Sequence, residues 1–138
     1  MPGLYSLVIC VMKIMIMIKP TVLIVDDNKR FIDCLVDMLE ENGNTNPVKA
    51  AHNYNEAVKL IATEKPGIVL LDMNMPGKSG IEVLHYIKEE GCDCKIIMVT
   101  NHSNDCYRKI CLEAGADYFL DKSREFGLIP SLIKKMSA

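Results

Sequence analysis

Five polar side chains stand out because each ends or closely follows a short apolar run. Asp26 and Asp27 follow VLIV, Asp72 follows IVLL, Thr100 follows IIMV, and Lys122 lies just past YFL. Carboxylates gathered at one rim raise one another's pKa values unless a cation is present, so Asp26, Asp27 and Asp72 point to a hard divalent ion with oxygen ligands. Mg²⁺ suits such a place, because it keeps several waters and pairs readily with a phosphoryl oxygen. Thr100 adds a hydroxyl donor and Lys122 a positive charge, both useful to an arriving anionic group. Any one of these residues alone has an ordinary reading, since an acid at a strand end is commonly a helix cap or part of a solvated loop. Together and in this order they form a much more specific pattern.

Such chemistry needs strands that end at one rim. From Pro20 onward, short β-branched runs alternate with helical patterns, which predicts an α/β fold with helices on both faces of a parallel sheet. The runs are Val22–Val25, Val48–Ala51, Ile68–Leu71, Ile96–Val99 and Tyr118–Leu120. VLIV and IVLL are continuously apolar, as central strands covered on both faces should be. Helical stripes lie between and after them: Phe31, Cys34, Leu35, Met38 and Leu39; Ala57, Val58 and Ile61; Ile81, Leu84 and Ile87; Tyr107, Ile110, Cys111 and Ala114; Leu128, Leu132, Ile133 and Met136. Gly43, Gly91 and Gly115 fall where helices should stop. The expectation is five strands and five helices from Pro20 to the end, with no output domain. In an open parallel sheet, ligands bind beyond the carboxyl ends of the strands, close to where strand order reverses.

Composition agrees with one soluble domain: 138 residues, 49% hydrophobic and 25% charged. A formal net charge of −2 and scattered basic residues give no electrostatic pull toward nucleic acid, so direct DNA binding is not expected. Six cysteines (Cys10, Cys34, Cys92, Cys94, Cys106 and Cys111) lack paired zinc-knuckle spacing, and nothing supports export. They read as reduced, mostly buried thiols in a cytoplasmic protein. The N-terminal stretch from Leu4 to Ile18 is nearly all apolar, interrupted by Lys13. It is shorter than the roughly 20 residues that span a bilayer, and it lacks a basic leader and a cleavage site. Met12, Met15 and Met17 make an upstream start site the first reading of residues 1–19. An accessory strand or helix comes second, and a membrane anchor last.

The blocks VLIVDDN, LLDMNMPGKSGIEVL, IIMVTN and GADYFLDKS resemble the four signature blocks of response-regulator receiver domains. The resemblance covers about Pro20 to Met136 and is closest in type to the single-domain chemotaxis and phosphorelay receivers. It implies a doubly wound, flavodoxin-like (βα)5 sheet with strand order 2-1-3-4-5. It implies that Asp72 accepts a phosphoryl group from a sensor histidine kinase or phosphotransfer protein. Asp27 then matches the direct Mg²⁺ ligand, Asp26 the acid acting through metal-bound water, and Asn74 the position whose backbone carbonyl completes the metal site. Thr100 matches the switch hydroxyl, Lys122 the cation that pairs with the phosphoryl group, and Phe119 the switch aromatic that moves inward on activation. The output face would comprise the fourth helix, fifth strand and fifth helix, with Tyr107, Ile110 and Phe119, and it would meet a downstream protein.

Two positions depart from the family pattern. Asn101 stands where a small residue is usual, and its amide could obstruct attacking water or the phosphodonor. Ser123 replaces a common proline after Lys122, so no cis peptide is expected there, because a non-proline cis bond costs about 2.5–4 kcal/mol. His102 lies near the expected site mouth, but an exposed loop histidine is its first reading, as a surface position is for His85. The loop Pro76-Gly77-Lys78-Ser79-Gly80 lacks Walker A spacing and reads as a turn before a helix. A phosphohydrolase of the haloacid-dehalogenase type would need an aspartate two residues past the nucleophile, where this chain has Asn74.

Overall fold

The apolar runs pair into one parallel sheet. The computed structural model describes residues 2–43, 45, 47–101 and 104–137. Its strands are β1 (Val22–Val25), β2 (Lys49–Ala51), β3 (Ile68–Asp72), β4 (Lys95–Thr100) and β5 (Tyr118–Asp121). They lie in the order β2-β1-β3-β4-β5. Its helices are α1 (Pro2–Ile18), α2 (Lys29–Asn42), α3 (Tyr54–Glu64), α4 (Gly80–Glu89), α5 (Asp105–Glu113) and α6 (Ile129–Ser137), with a short 3₁₀ turn at Phe126–Leu128. The helices α2 to α6 are those expected after Pro20; α1 adds one more.

Alternation along the strands divides the core in two. Leu23, Val25, Val69 and Leu71 face a layer built on Ala57, Ile61, Val83, Leu84, Ile87 and Cys111, from α3, α4 and α5. Val22, Ile24, Ile68 and Leu70 face Ile32, Leu35, Leu39, Ile129 and Ile133, from α2 and α6. Every residue of β1 and β3 is buried, as their unbroken apolar sequences require.

Local chemistry sets the helix ends. The side chains of Asn28, Asn53 and Asn104 each accept a backbone N–H in the first turn of α2, α3 and α5. Ser79 and Glu82 form a reciprocal capping box at the start of α4, so the Gly77–Lys78 loop is the expected turn. Gly43 closes α2 in the left-handed region, at φ 65°.

Three readings of the sequence need correction. Of the six cysteines only Cys111 is buried, while Cys92 and Cys94 are half-buried and Cys10, Cys34 and Cys106 exposed. Cys34 lies outside the row Ile32, Leu35 and Leu39 that α2 turns inward. On α5 the core takes only Cys111, and Tyr107 and Ile110 are exposed (38% and 48%), because α5 packs beside the edge strand β5 and is covered along one row. Leu128 is half-exposed in the 3₁₀ turn; the inward row of α6 starts one residue later, at Ile129 and Ile133.

Gly80 seats α4 against the C-terminal end of β3 in a way no other residue can. A Cβ there would overlap the Asp72 carbonyl oxygen and lie 2.8 Å from the Asp72 carbonyl carbon. Its N–H donates to the Met73 carbonyl at 3.2 Å. Because backbone cannot yield as a side-chain tip can, Gly80→Ala should cost stability by about 2–3 kcal/mol, at the upper end of typical single substitutions. Urea unfolding checks this; a loss below half a kcal/mol would show that α4 can shift freely.

Candidate functional site

Parallel register brings the strand ends to one rim. Val25 pairs with Leu71, so Asp26, the next residue, lies beside Asp72 at the end of β3. This is where the strand order reverses, since β2 flanks β1 on one side and β3 on the other. Thr100 ends β4 and pairs with Asp121, and Lys122 N–H donates to the Thr100 carbonyl at 2.8 Å. Of the residues singled out in the sequence, Asp26, Asp27, Asp72, Asn74, Thr100 and Lys122 thus share one rim.

One oxygen from each of Asp26, Asp27 and Asp72 lies within 4.8 Å of the other two. Asp26 and Asp72 are buried, at 1% and 7% exposure, and Asp27 opens to solvent. Lys122 Nζ stands 2.6 Å from Asp26 Oδ2 and 3.8 Å from Asp72 Oδ2. It also lies 4.2 Å from the centre of the Phe31 ring, whose face favours a cation. Asp26 Oδ1 accepts the Asn28 N–H at 2.8 Å. Asp72 Oδ1 accepts the Asn74 N–H at 3.3 Å, and the Asn74 side-chain amide donates to Thr100 Oγ1 at 3.3 Å.

Burial pushes the Asp72 carboxyl up to about 6, and the neighbouring charge of Asp26 adds to this. Lys122 and the Asn74 N–H oppose the rise, and Asp27 contributes to it. The donor set fits a hard divalent ion. It is all oxygen, it sets three carboxylates against the charge of Lys122, and buried Asp26 Oδ2 takes no hydrogen bond of proper geometry although Lys122 is close.

Phe119 lies inside, 3% exposed, rather than outside. Arg108 holds it there, with its guanidinium 5.2 Å from the ring centre and Nη1 donating to the Phe119 carbonyl at 3.3 Å. Asn101 is exposed and accepts a hydrogen bond from Ser123 Oγ at 3.2 Å. The Lys122–Ser123 peptide is trans, as the absence of proline implies. His52 and His85 are exposed, and His102 lies outside the described residues.

Sequence reasoning did not reach Phe31, Arg108, Gly80 or the side chain of Asn74. For Gly80 the signal was a glycine at the first helical position after a Ser cap, where almost any residue propagates a helix better. For the others, contact comes only from the fold. A hollow of about 420 Å³ is lined by Ile61, Pro66, Tyr86 and Cys94, with no residue of the carboxylate cluster.

Known proteins share this fold. The family described as "Response regulator receiver domain" matches residues 22–134. The response regulator MprA of Mycobacterium ulcerans (strain Agy99) is 36% identical over 101 residues, which is 73% of this chain and 43% of that protein. The chain therefore spans less than half the length of that relative. The signal receiver domain of NarL from Mycobacterium tuberculosis superposes with a TM-score of 0.80 at 26% identity, covering 86% of this chain and 96% of that one. A Burkholderia pseudomallei response regulator with a phosphorylated aspartic acid, calcium ion and citrate gives a TM-score of 0.74 at 26% identity, over 85% and 68% of the two chains.

The raised Asp72 pKa has a consequence for stability. The folded state holds this proton more tightly than the unfolded chain, so the carboxyl is harmless below its ordinary value of 3.8 and costs stability as pH rises toward about 6. Above that the cost is constant, on the order of 1–3 kcal/mol. Asp72→Asn should therefore raise the Tm of metal-free protein at about pH 8, with the advantage shrinking toward about pH 4. Thermal melts in chelator across that range check it; an advantage that grows on acidification would contradict the burial argument.

Proposed function

The chain belongs to the response regulator receiver domain family, and on that premise we propose that it is a signalling switch phosphorylated on Asp72. The donor is a phosphohistidine of a sensor kinase or phosphotransfer protein. The observation that carries this reading is Asp72 itself, a buried carboxylate between two further acids and Lys122. We take residues 20–138 as the receiver and 1–19 as an extension of it.

In the reaction, a carboxylate oxygen of Asp72 attacks phosphorus in line. The phosphorus–nitrogen bond breaks and its electron pair leaves with the imidazole, giving an acyl phosphate. Asp26, Asp27, Asp72 and the Asn74 backbone carbonyl would hold Mg²⁺, which neutralises charge on the transferring oxygens when bound. Lys122 has two roles in sequence. Before transfer it balances Asp26 at 2.6 Å; afterwards it turns its charge to a phosphoryl oxygen, and Asp72, only 3.8 Å away, makes that a short movement. Thr100 leaves its contact with the Asn74 amide and donates its hydroxyl to the same group.

Output is protein contact through the surface of α5, β5 and α6, where Tyr107 and Ile110 are exposed beside buried Phe119. The phosphorylated aspartic acid and metal ion of the solved Burkholderia pseudomallei relative support the chemistry. A cytoplasmic setting follows from the kinase partner. The switch does no turnover beyond loss of its own phosphoryl group.

Intact-mass measurement after treatment with acetyl phosphate and Mg²⁺ tests the proposal. The native chain should gain one phosphoryl group and Asp72→Ala none; a native chain that stays unmodified under conditions that label other receivers would sink it. Asn101→Ala should shorten the life of the acyl phosphate several-fold, because the exposed amide no longer screens phosphorus from water. An unchanged decay rate would place the control elsewhere.

A further inference from the structure

The helix ahead of the sheet takes no part in the site. From Gly3 to Ile14 every side chain of α1 is exposed, including Leu4 (63%), Tyr5 (74%), Leu7 (61%) and Met12 (56%). Across residues 3–14 only Ser6, Lys13 and the Tyr5 hydroxyl are polar, so apolar side chains occupy all sides of the helix there. A helix apolar all round calls for surroundings that are apolar all round. A second copy of α1 would cover one stripe of each helix and leave the rest in water. Lipid covers the whole circumference.

Charge supports the same occupant. Lys13 and Lys19 are the only charged side chains before Asp26, although the whole chain carries a net charge of −2. Both lie toward the receiver end of the segment, where anionic headgroups would meet them. The long stem of Lys13 lets its ammonium reach that level while its neighbours stay in hydrocarbon. Topology is compatible, because α1 leads into the N-terminal end of β1, whereas the carboxylates lie beyond the C-terminal ends of the strands. No helix among the described residues is long and apolar enough to cross a membrane.

We infer that α1 inserts into one leaflet of an anionic lipid bilayer and tethers the receiver with its carboxylate rim turned away from the lipid. The inference is independent of the phosphorylation reading. Flotation of the full chain through a density gradient tests it, with vesicles of phosphatidylcholine plus phosphatidylglycerol and with phosphatidylcholine alone. The protein should rise with the mixed vesicles, and Lys13→Gln and Lys19→Gln should each weaken binding about fivefold. The double variant Leu7→Asp, Val11→Asp should stay at the bottom, with the circular dichroism of the receiver unchanged, since both side chains are exposed. Native protein that does not float, flotation that survives the double variant, or equal binding to phosphatidylcholine alone overturns the inference. So does a dimer that needs α1 and that vesicles do not dissociate.

Discussion

Lys122 is the charge on which the rim depends. Asp26 is almost fully buried, and its Oδ2 faces the ammonium at 2.6 Å without a hydrogen bond of its own. A buried carboxylate in that state is tolerable only while its counter-charge stays, because loss of one partner from a buried pair costs on the order of 3–5 kcal/mol. Asp72 is hard to ionise because it is buried and faces the charge of Asp26, and the same ammonium, 3.8 Å away, offsets this only in part. One lysine therefore serves two buried carboxylates and neutralises neither in full. Three carboxylates against one ammonium leave the rim short of positive charge, as a site for a divalent cation would be.

The fold supplies this unfavourable gathering at its strongest point. Asp72 is the last residue of β3, a strand buried along its whole length between β1 and β4. Apolar burial on both faces, worth about 1.5–3 kcal/mol for each large side chain, offsets the cost of crowding acids at one end. The rim is also stiff. Asn28 caps α2 while its N–H fixes Asp26, and Gly80 lets α4 rest directly on the Asp72 backbone. Asp72 and Thr100 thus end strands, and Asp26, Asp27 and Lys122 stand within two residues of one.

Much of this was legible in the residues. The two unbroken runs VLIV and IVLL could only be central strands, and the polar residues ending the runs could only meet at one rim. Strand order came from the resemblance, since periodicity alone does not order parallel strands. The helical stripes were read less well, because periodicity shows which residues share a face but not how much of that face is covered. On α5 the edge of the sheet leaves Tyr107 and Ile110 in solvent, and on α2 the inward row passes Cys34 by. Phe31 beneath Lys122 was not legible at all. It lies ninety-one positions earlier in the chain, and only the packing of α2 beside the rim brings the ring under the ammonium.

The inward position of Phe119 alters what a switch built here would have to do. Arg108 grips the residue twice, through its ring and through its carbonyl, from the outer side of α5. For the ring to swing out, the contact with the guanidinium must break, while the hydrogen bond to the backbone carbonyl can stay and keep β5 beside α5. A switch that used this ring would start with it already packed inward. A partner reading this face would meet Tyr107 and Ile110 exposed beside a ring that is already buried.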